Sequence, residues 1–130
     1  MGKKILLIED EPFVRDLYQT VLVREGFEVD LAEDGQVAVD KLFGGSVYDL
    51  VLLDIMLPKL TGMEVLKKMR EEGAATVDTP VYLLTNLGDE NIVKEAYRIG
   101  ANGYLLKAKY LPKQIAEEVK KFFVKSSQRS

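Results

Sequence analysis

The chain has 130 residues, of which 47% are hydrophobic and 30% charged, and 18 lysines and arginines against 21 acids give a formal net charge of −3. That suits one soluble globular domain, leaves no room for a second, and is too weak a charge for electrostatic capture of nucleic acid. Cysteine and histidine are both absent, which excludes disulfide frameworks, zinc–thiolate sites, thiol nucleophiles, Ser-His triads and phosphohistidine on this chain. Chemistry must come from carboxylates, hydroxyls, lysine and backbone. Lys3 and Lys4 run straight into a short strand-like segment, and no long uncharged apolar stretch appears, so no membrane span is expected and the expected location is cytoplasmic.

Two periods alternate along the chain. Ile5, Leu6, Leu7 and Ile8 form a continuous apolar run, the mark of a strand buried on both faces. Val14, Leu17, Tyr18, Val21 and Leu22 then fall at helical spacing, with Pro12 suited to a first turn and Gly26 to a stop. Residues 27–31 alternate as an outer strand does. Asp34 is placed to cap a second helix carrying Val37, Ala38 and Leu42, ending at Gly44 and Gly45. Residues 47–53 are the most apolar strand candidate and the expected centre of the sheet. Thr61 and Glu64 have capping-box spacing at the head of a third helix with Val65, Leu66 and Met69 on one face. Strand four spans 80–84, helix four 89–99 with Gly100 to end it, strand five 102–106, and a last helix 112–124.

Five strands alternating with five helices predict an α/β fold, a doubly wound five-stranded parallel sheet with helices on both faces. Ligands of such sheets bind beyond the carboxyl ends of the strands. Glu9 and Asp10, Asp54, Thr85 and Lys107 all follow or end a strand at that side. Three carboxylates there share a small volume with one ammonium, and like charges so placed raise one another's pKa unless a cation neutralises them. Taken singly, each of these residues has an ordinary role as a cap, turn or surface charge; their convergence in this order is what points to a metal-assisted site.

With these residues in place, the chain resembles the response-regulator receiver domains of two-component systems from Lys4 to about Val124. The likeness rests on Glu9-Asp10, on Ala32 with Gly35 and Ala38, and on Asp54-Ile55-Met56-Leu57-Pro58 followed by Gly62. Leu84-Thr85 and the run from Gly100 to Lys107 complete it. The resemblance implies a flavodoxin-like strand order 2-1-3-4-5, a receiver domain over residues 1–125, and a polar tail or linker stub over 126–130. It also implies that Asp54 is the phosphoacceptor, receiving a phosphoryl group from a sensor histidine kinase or phosphotransfer protein. Magnesium is the implied cofactor, bound directly by Asp10 and Asp54, through water by Glu9, and by the backbone carbonyl of Met56. Lys107 and the Thr85 hydroxyl would each bind a phosphoryl oxygen. Thr85 and Tyr104 would form the switch, read out on a face of helix four, strand five and helix five that includes Lys94, Arg98, Tyr104, Lys113 and Glu117. The domain is not expected to be an enzyme beyond its own phosphorylation and autodephosphorylation.

Two departures from the family pattern stand out. Lys107 precedes Ala108 where a proline, often after a cis bond, is usual; a cis bond to alanine costs roughly 3–4 kcal/mol, so either a trans bond with a shifted loop or a strained cis bond is expected. Asn86 stands where a very small residue is common, positioned either to crowd the phosphoryl pocket or to donate to it. Three other readings compete. A flavin carrier needs a glycine-rich phosphate loop where this chain has Glu9-Asp10-Glu11-Pro12. An aspartate-nucleophile phosphohydrolase needs a second acid where this chain has Met56. A phosphate-independent interaction module of the same fold is the remaining alternative. No helix-turn-helix follows Val124, so the expected partners are the kinase and either a protein output partner or a missing effector domain. A phosphorylation-dependent homodimer is also compatible, and no nucleic-acid or membrane contact by this domain is expected.

Overall fold

The computed structural model describes residues 2–57, 59–86 and 90–128, the last two by backbone only. The strands are β1 (Lys4–Ile8), β2 (Glu28–Ala32), β3 (Leu50–Asp54), β4 (Val81–Thr85) and β5 (Gly103–Leu106). Between and after them run the helices α1 (Pro12–Arg24), α2 (Gly35–Leu42), α3 (Gly62–Met69), α4 (Glu90–Ile99) and α5 (Pro112–Gln128). Every neighbouring pair of strands is parallel, and their order is β2-β1-β3-β4-β5. This is the doubly wound sheet expected from the alternation, in the strand order implied by the resemblance.

The strand period of two divides the core into two layers. Ile5, Leu7, Leu50, Leu52, Leu84 and Leu105 face α1 and α5 through Tyr18, Leu22, Ile115 and Val119. Leu6, Ile8, Val51, Leu53, Val81 and Leu83 face the other way, against Ala38, Leu42, Val65, Leu66, Met69 and Ala96 of α2, α3 and α4. Each such fully buried aliphatic side chain contributes about 1.5–3 kcal/mol. The central strands β1 and β3 are therefore firmly fixed, and the polar residues at their carboxyl ends ride on a rigid support.

Local signals set the helix starts. Pro12 opens α1 and the Glu11 carboxylate caps it, accepting from the Phe13 amide. Asp34 Oδ1 accepts from the Val37 amide at 2.8 Å, and Thr61 with Glu64 forms a complete capping box at α3. Boundaries differ from expectation in several places. β3 begins at Leu50 rather than at 47, because Val47 lies 81% exposed while the Tyr48 hydroxyl turns to Asp30 Oδ2 at 2.7 Å and Asp49 accepts from the Lys4 amide at 2.7 Å. These side-chain bonds join the backbone bond from the Asp49 amide to the Lys4 carbonyl at 2.7 Å, and the regular ladder begins one residue later. The second helix stops at Leu42, short of Gly44, and the last one runs past 124 to Gln128, so residues 126–128 continue it. Helix four starts at Glu90; the expected start at Asp89 lies outside the described residues. No helix among the described residues is long and apolar enough to cross a membrane.

Candidate functional site

β1, β3, β4 and β5 each deliver one charged or hydroxyl group to the same edge of the sheet. Glu9 follows β1, and its amide donates to the Ala32 carbonyl at 3.0 Å, which extends the ladder by one residue and turns the side chain inward. Its carbonyl in turn accepts from Arg15 Nη1 at 3.0 Å, tying the loop to α1. Asp54 is the last residue of β3 and Thr85 the last of β4. Lys107 follows β5, held by a 2.7 Å bond from its amide to the Thr85 carbonyl.

The Lys107 ammonium bridges the two buried acids. It donates to Glu9 Oε1 and, at 3.0 Å, to Asp54 Oδ2. Asp54 Oδ1 accepts from the Met56 amide at 3.0 Å, and Glu9 Oε2 from the Glu11 amide at 3.1 Å. Glu9 is only 1% exposed. Burial pushes its carboxyl up to about 7 in spite of the hydrogen bond from Lys107, and the Asp54 charge adds to the rise. Burial opposes the charge of Lys107 as well, but the bonds and charges of Glu9 and Asp54 outweigh it and leave the ammonium harder to deprotonate. The electrostatic problem expected from the sequence is present, and the lysine balances only part of it.

Asp10 is exposed, at the mouth of the cluster. One carboxylate oxygen each from Glu9, Asp10 and Asp54 lie within 4.8 Å of one another. Three hard oxygen donors so close, with a net negative charge after Lys107 is counted, fit a small divalent cation. They lie in a cleft of about 720 Å³, also lined by Val14, Tyr18, Met56, Asn86 and Ala108. Thr85 is buried at the same edge without lining the cleft, and the Lys107–Ala108 peptide bond is trans.

The loop after β3 is shaped by close packing. A Cβ on Gly62 would lie 2.4 Å from the Asp54 carbonyl oxygen, so only glycine admits α3 against the end of β3. Gly35 meets the Leu60 carbonyl in the same way, and Lys59, at φ 68°, pairs with Asp34 at 3.5 Å. The motif glycines thus hold the loop that carries Met56.

The family model for the response regulator receiver domain matches residues 5–120. The chain belongs to that family. This receiver is 35% identical over 127 residues to the transcriptional regulatory protein ResD of Bacillus subtilis, covering 98% of the chain and 50% of the relative. It is 39% identical over 104 residues to DltR of Streptococcus agalactiae, covering 80% of the chain and 45% of the relative. The receiver therefore spans about half the length of the curated relatives it matches. Among solved structures, it matches the phosphorylated cyanobacterial phytochrome response regulator RcpA with a TM-score of 0.85 and 29% identity, covering 97% of this chain and 96% of that one. The receiver domain of the sensor histidine kinase PA1611 from Pseudomonas aeruginosa, solved with a magnesium ion in its active site cleft, gives 0.80 and 26%, covering 93% and 97%.

Away from the cleft, Tyr104 of the receiver is 42% exposed and meets Tyr97 of α4 edge-on at 6.2 Å between ring centroids. A second depression there is lined by Glu90, Val93, Lys94, Tyr97, Tyr104 and Leu106. Lys113 and Glu117 of α5 also line a pocket with Val21 and Arg24 of α1 and with Glu25 just after it. Tyr18 was legible in the sequence only as an apolar helical position; the structure puts it on the wall of the cleft. Its signal was a polar-tipped aromatic on the buried stripe of the helix that starts at the acidic pair.

Proposed function

We propose that this receiver accepts a phosphoryl group on Asp54 from a sensor histidine kinase or phosphotransfer protein and relays the change to an output partner. The observation that carries the reading is the buried bridge from Lys107 to both Glu9 and Asp54, with Asp10 at the mouth. A strand-end carboxylate, a fixed ammonium and a cleft lined by carboxylate oxygens are what acyl phosphate formation requires. An Asp54 oxygen forms the new bond to phosphorus as the donor's bond to phosphorus breaks. Lys107 exchanges its carboxylate partner for a phosphoryl oxygen, and the Thr85 hydroxyl bonds another. Asp10 and Asp54, with Glu9 through water and the Met56 carbonyl, would hold magnesium, as supported by the magnesium described in the PA1611 receiver. When bound, the ion neutralises charge on the phosphoryl oxygens.

The transfer is read by intact-protein mass spectrometry with acetyl phosphate. The protein is expected to gain one phosphoryl group only with a divalent cation present, and Asp54→Asn to gain none. Unchanged mass in folded, magnesium-loaded protein would sink the reading in favour of a phosphate-independent interaction module.

The signal is expected to leave through α4, β5 and α5. Tyr104 is exposed against Tyr97, so movement of Thr85 toward a phosphate would open space for the ring to turn in. Tyr104→Ala is expected to take up phosphate normally while partner binding no longer distinguishes the two states. Retained discrimination in a pull-down with the output partner would remove Tyr104 from the switch. Because the matched relatives are transcriptional regulatory proteins of about twice this length, an effector domain following α5 and a cytoplasmic setting belong to the same proposal.

A further inference from the structure

Tyr18 is buried, 4% exposed, with its ring packed in the layer of Ile5, Leu7 and Leu22. The same residue lines the cleft with Glu9, Asp54 and Lys107. Its hydroxyl lies in the field of those three charges, of which Lys107 acts on it most strongly. Among the described residues no group hydrogen-bonds to that hydroxyl, although no fully occluded side-chain polar atom lacks a partner. The Tyr18 oxygen therefore keeps its opening onto the cleft. A buried tyrosine normally finds a partner for its O–H, since leaving one unmade is costly. A phenol with its body in the core and its proton free toward an oxygen-binding cleft is placed for a ligand.

We infer that the Tyr18 hydroxyl donates a hydrogen bond to a phosphoryl oxygen on Asp54, beside the Lys107 ammonium, and so is a phosphoryl-binding residue of this site. The inference rests on the proposed phosphorylation of Asp54. Tyr18 and Lys107 line the same cleft, so the phenol proton and the ammonium can serve phosphoryl oxygens side by side. The phenol stays protonated throughout and no bond at Tyr18 is made or broken. Donation to a charged oxygen is stronger than to a neutral one, so the bond favours the phosphorylated state over the free one.

The test compares the full chain with Tyr18→Phe, which keeps the ring and removes only the hydroxyl. Four quantities are measured: phosphoryl gain from acetyl phosphate at saturating magnesium, magnesium affinity by calorimetry, the melting temperature, and the near-ultraviolet tyrosine difference spectrum on phosphorylation. The chain has six tyrosines and no tryptophan, so that spectrum is free of indole. Expected is a roughly tenfold slower phosphoryl gain, unaltered magnesium affinity and melting temperature, and a diminished difference spectrum. Wild-type rate with an unchanged spectrum overturns the inference. So does a loss of magnesium affinity with normal transfer at saturation, which would assign the hydroxyl to water around the cation. A rate that falls only together with the melting temperature also overturns it. Wild-type protein that gains no phosphoryl group overturns the phosphorylation reading itself, and the Tyr18 inference with it.

Discussion

Replacing Lys107 by methionine is expected to destabilise the cation-free protein by about 3–5 kcal/mol at pH 8, the cost of leaving buried charge uncompensated, and to abolish phosphoryl gain. The ammonium is the only positive group bridging Glu9 and Asp54 among the described residues. All three side chains are largely shielded from solvent, so water screens little of the loss. The effect has a definite pH dependence. Glu9 has its folded pKa raised from 4.5 to about 7. For such an acid, the stability contribution is fully present below 4.5 and is lost as pH rises through the folded value. Without Lys107 the lowering hydrogen bond disappears and the folded value moves further up. The gap between variant and wild type should therefore be smaller at pH 5, where Glu9 is protonated in both and the loss is chiefly that of the Lys107–Asp54 pair, and should widen through pH 7. Urea unfolding at pH 5 and pH 8 measures this, and an equal gap at both would show that the Glu9 arm of the bridge is not the origin of the pH dependence. Saturating magnesium should narrow the gap at pH 8, because carboxylates left without the ammonium would bind the cation more tightly and so gain more stability from it than the wild-type site does.

Gly62→Ala is expected to slow phosphoryl gain by about a hundredfold, the scale of an ångström-sized misplacement of a reacting group, while the sheet stays folded. The added Cβ would lie 2.4 Å from the Asp54 carbonyl oxygen and 2.7 Å from Ile55 Cα. Both are backbone atoms, so no rotamer change relieves the contact and the loop must move. The Gly62 amide also donates to the Ile55 carbonyl at 3.0 Å, so the displacement passes directly into the residue after Asp54. Overpacking of this kind costs about 1–3 kcal/mol, which lowers the melting temperature without unfolding the protein. Gly73→Ala is the matched control. Gly73 has φ 83° but open space around a would-be Cβ, so strain alone would cost stability and leave phosphoryl gain unchanged. Equal loss of transfer in both variants would attribute the effect to general destabilisation.

The layering of this protein could be read from its residues because two periods compete openly along the chain. Buried-strand runs such as 5–8 contain nothing but large aliphatics, and Glu11, Asp34 and Thr61 use side-chain oxygens to start helices where they stand. Such signals are local, and local hydrogen bonds or packing enforce them. Reading failed where distant partners decide. Val47 looked like strand because it is β-branched and follows an apolar pattern, yet Tyr48 and Asp49 are claimed by Asp30 and Lys4 from neighbouring strands.

By itself the sequence determined the order of elements, the two-layered sheet and the four strand ends that carry Glu9, Asp54, Thr85 and Lys107, because periodicity and capping are properties of neighbouring residues. Only the tertiary structure decided that Lys107 bonds to both acids at once, that Glu9 is buried deeply enough to hold its proton to about 7, and that Tyr18 belongs to the cleft. Those facts depend on distances between residues up to 98 positions apart and on how much water remains between them. Charge in a protein takes its meaning from its surroundings, and the surroundings exist only once the sheet has closed.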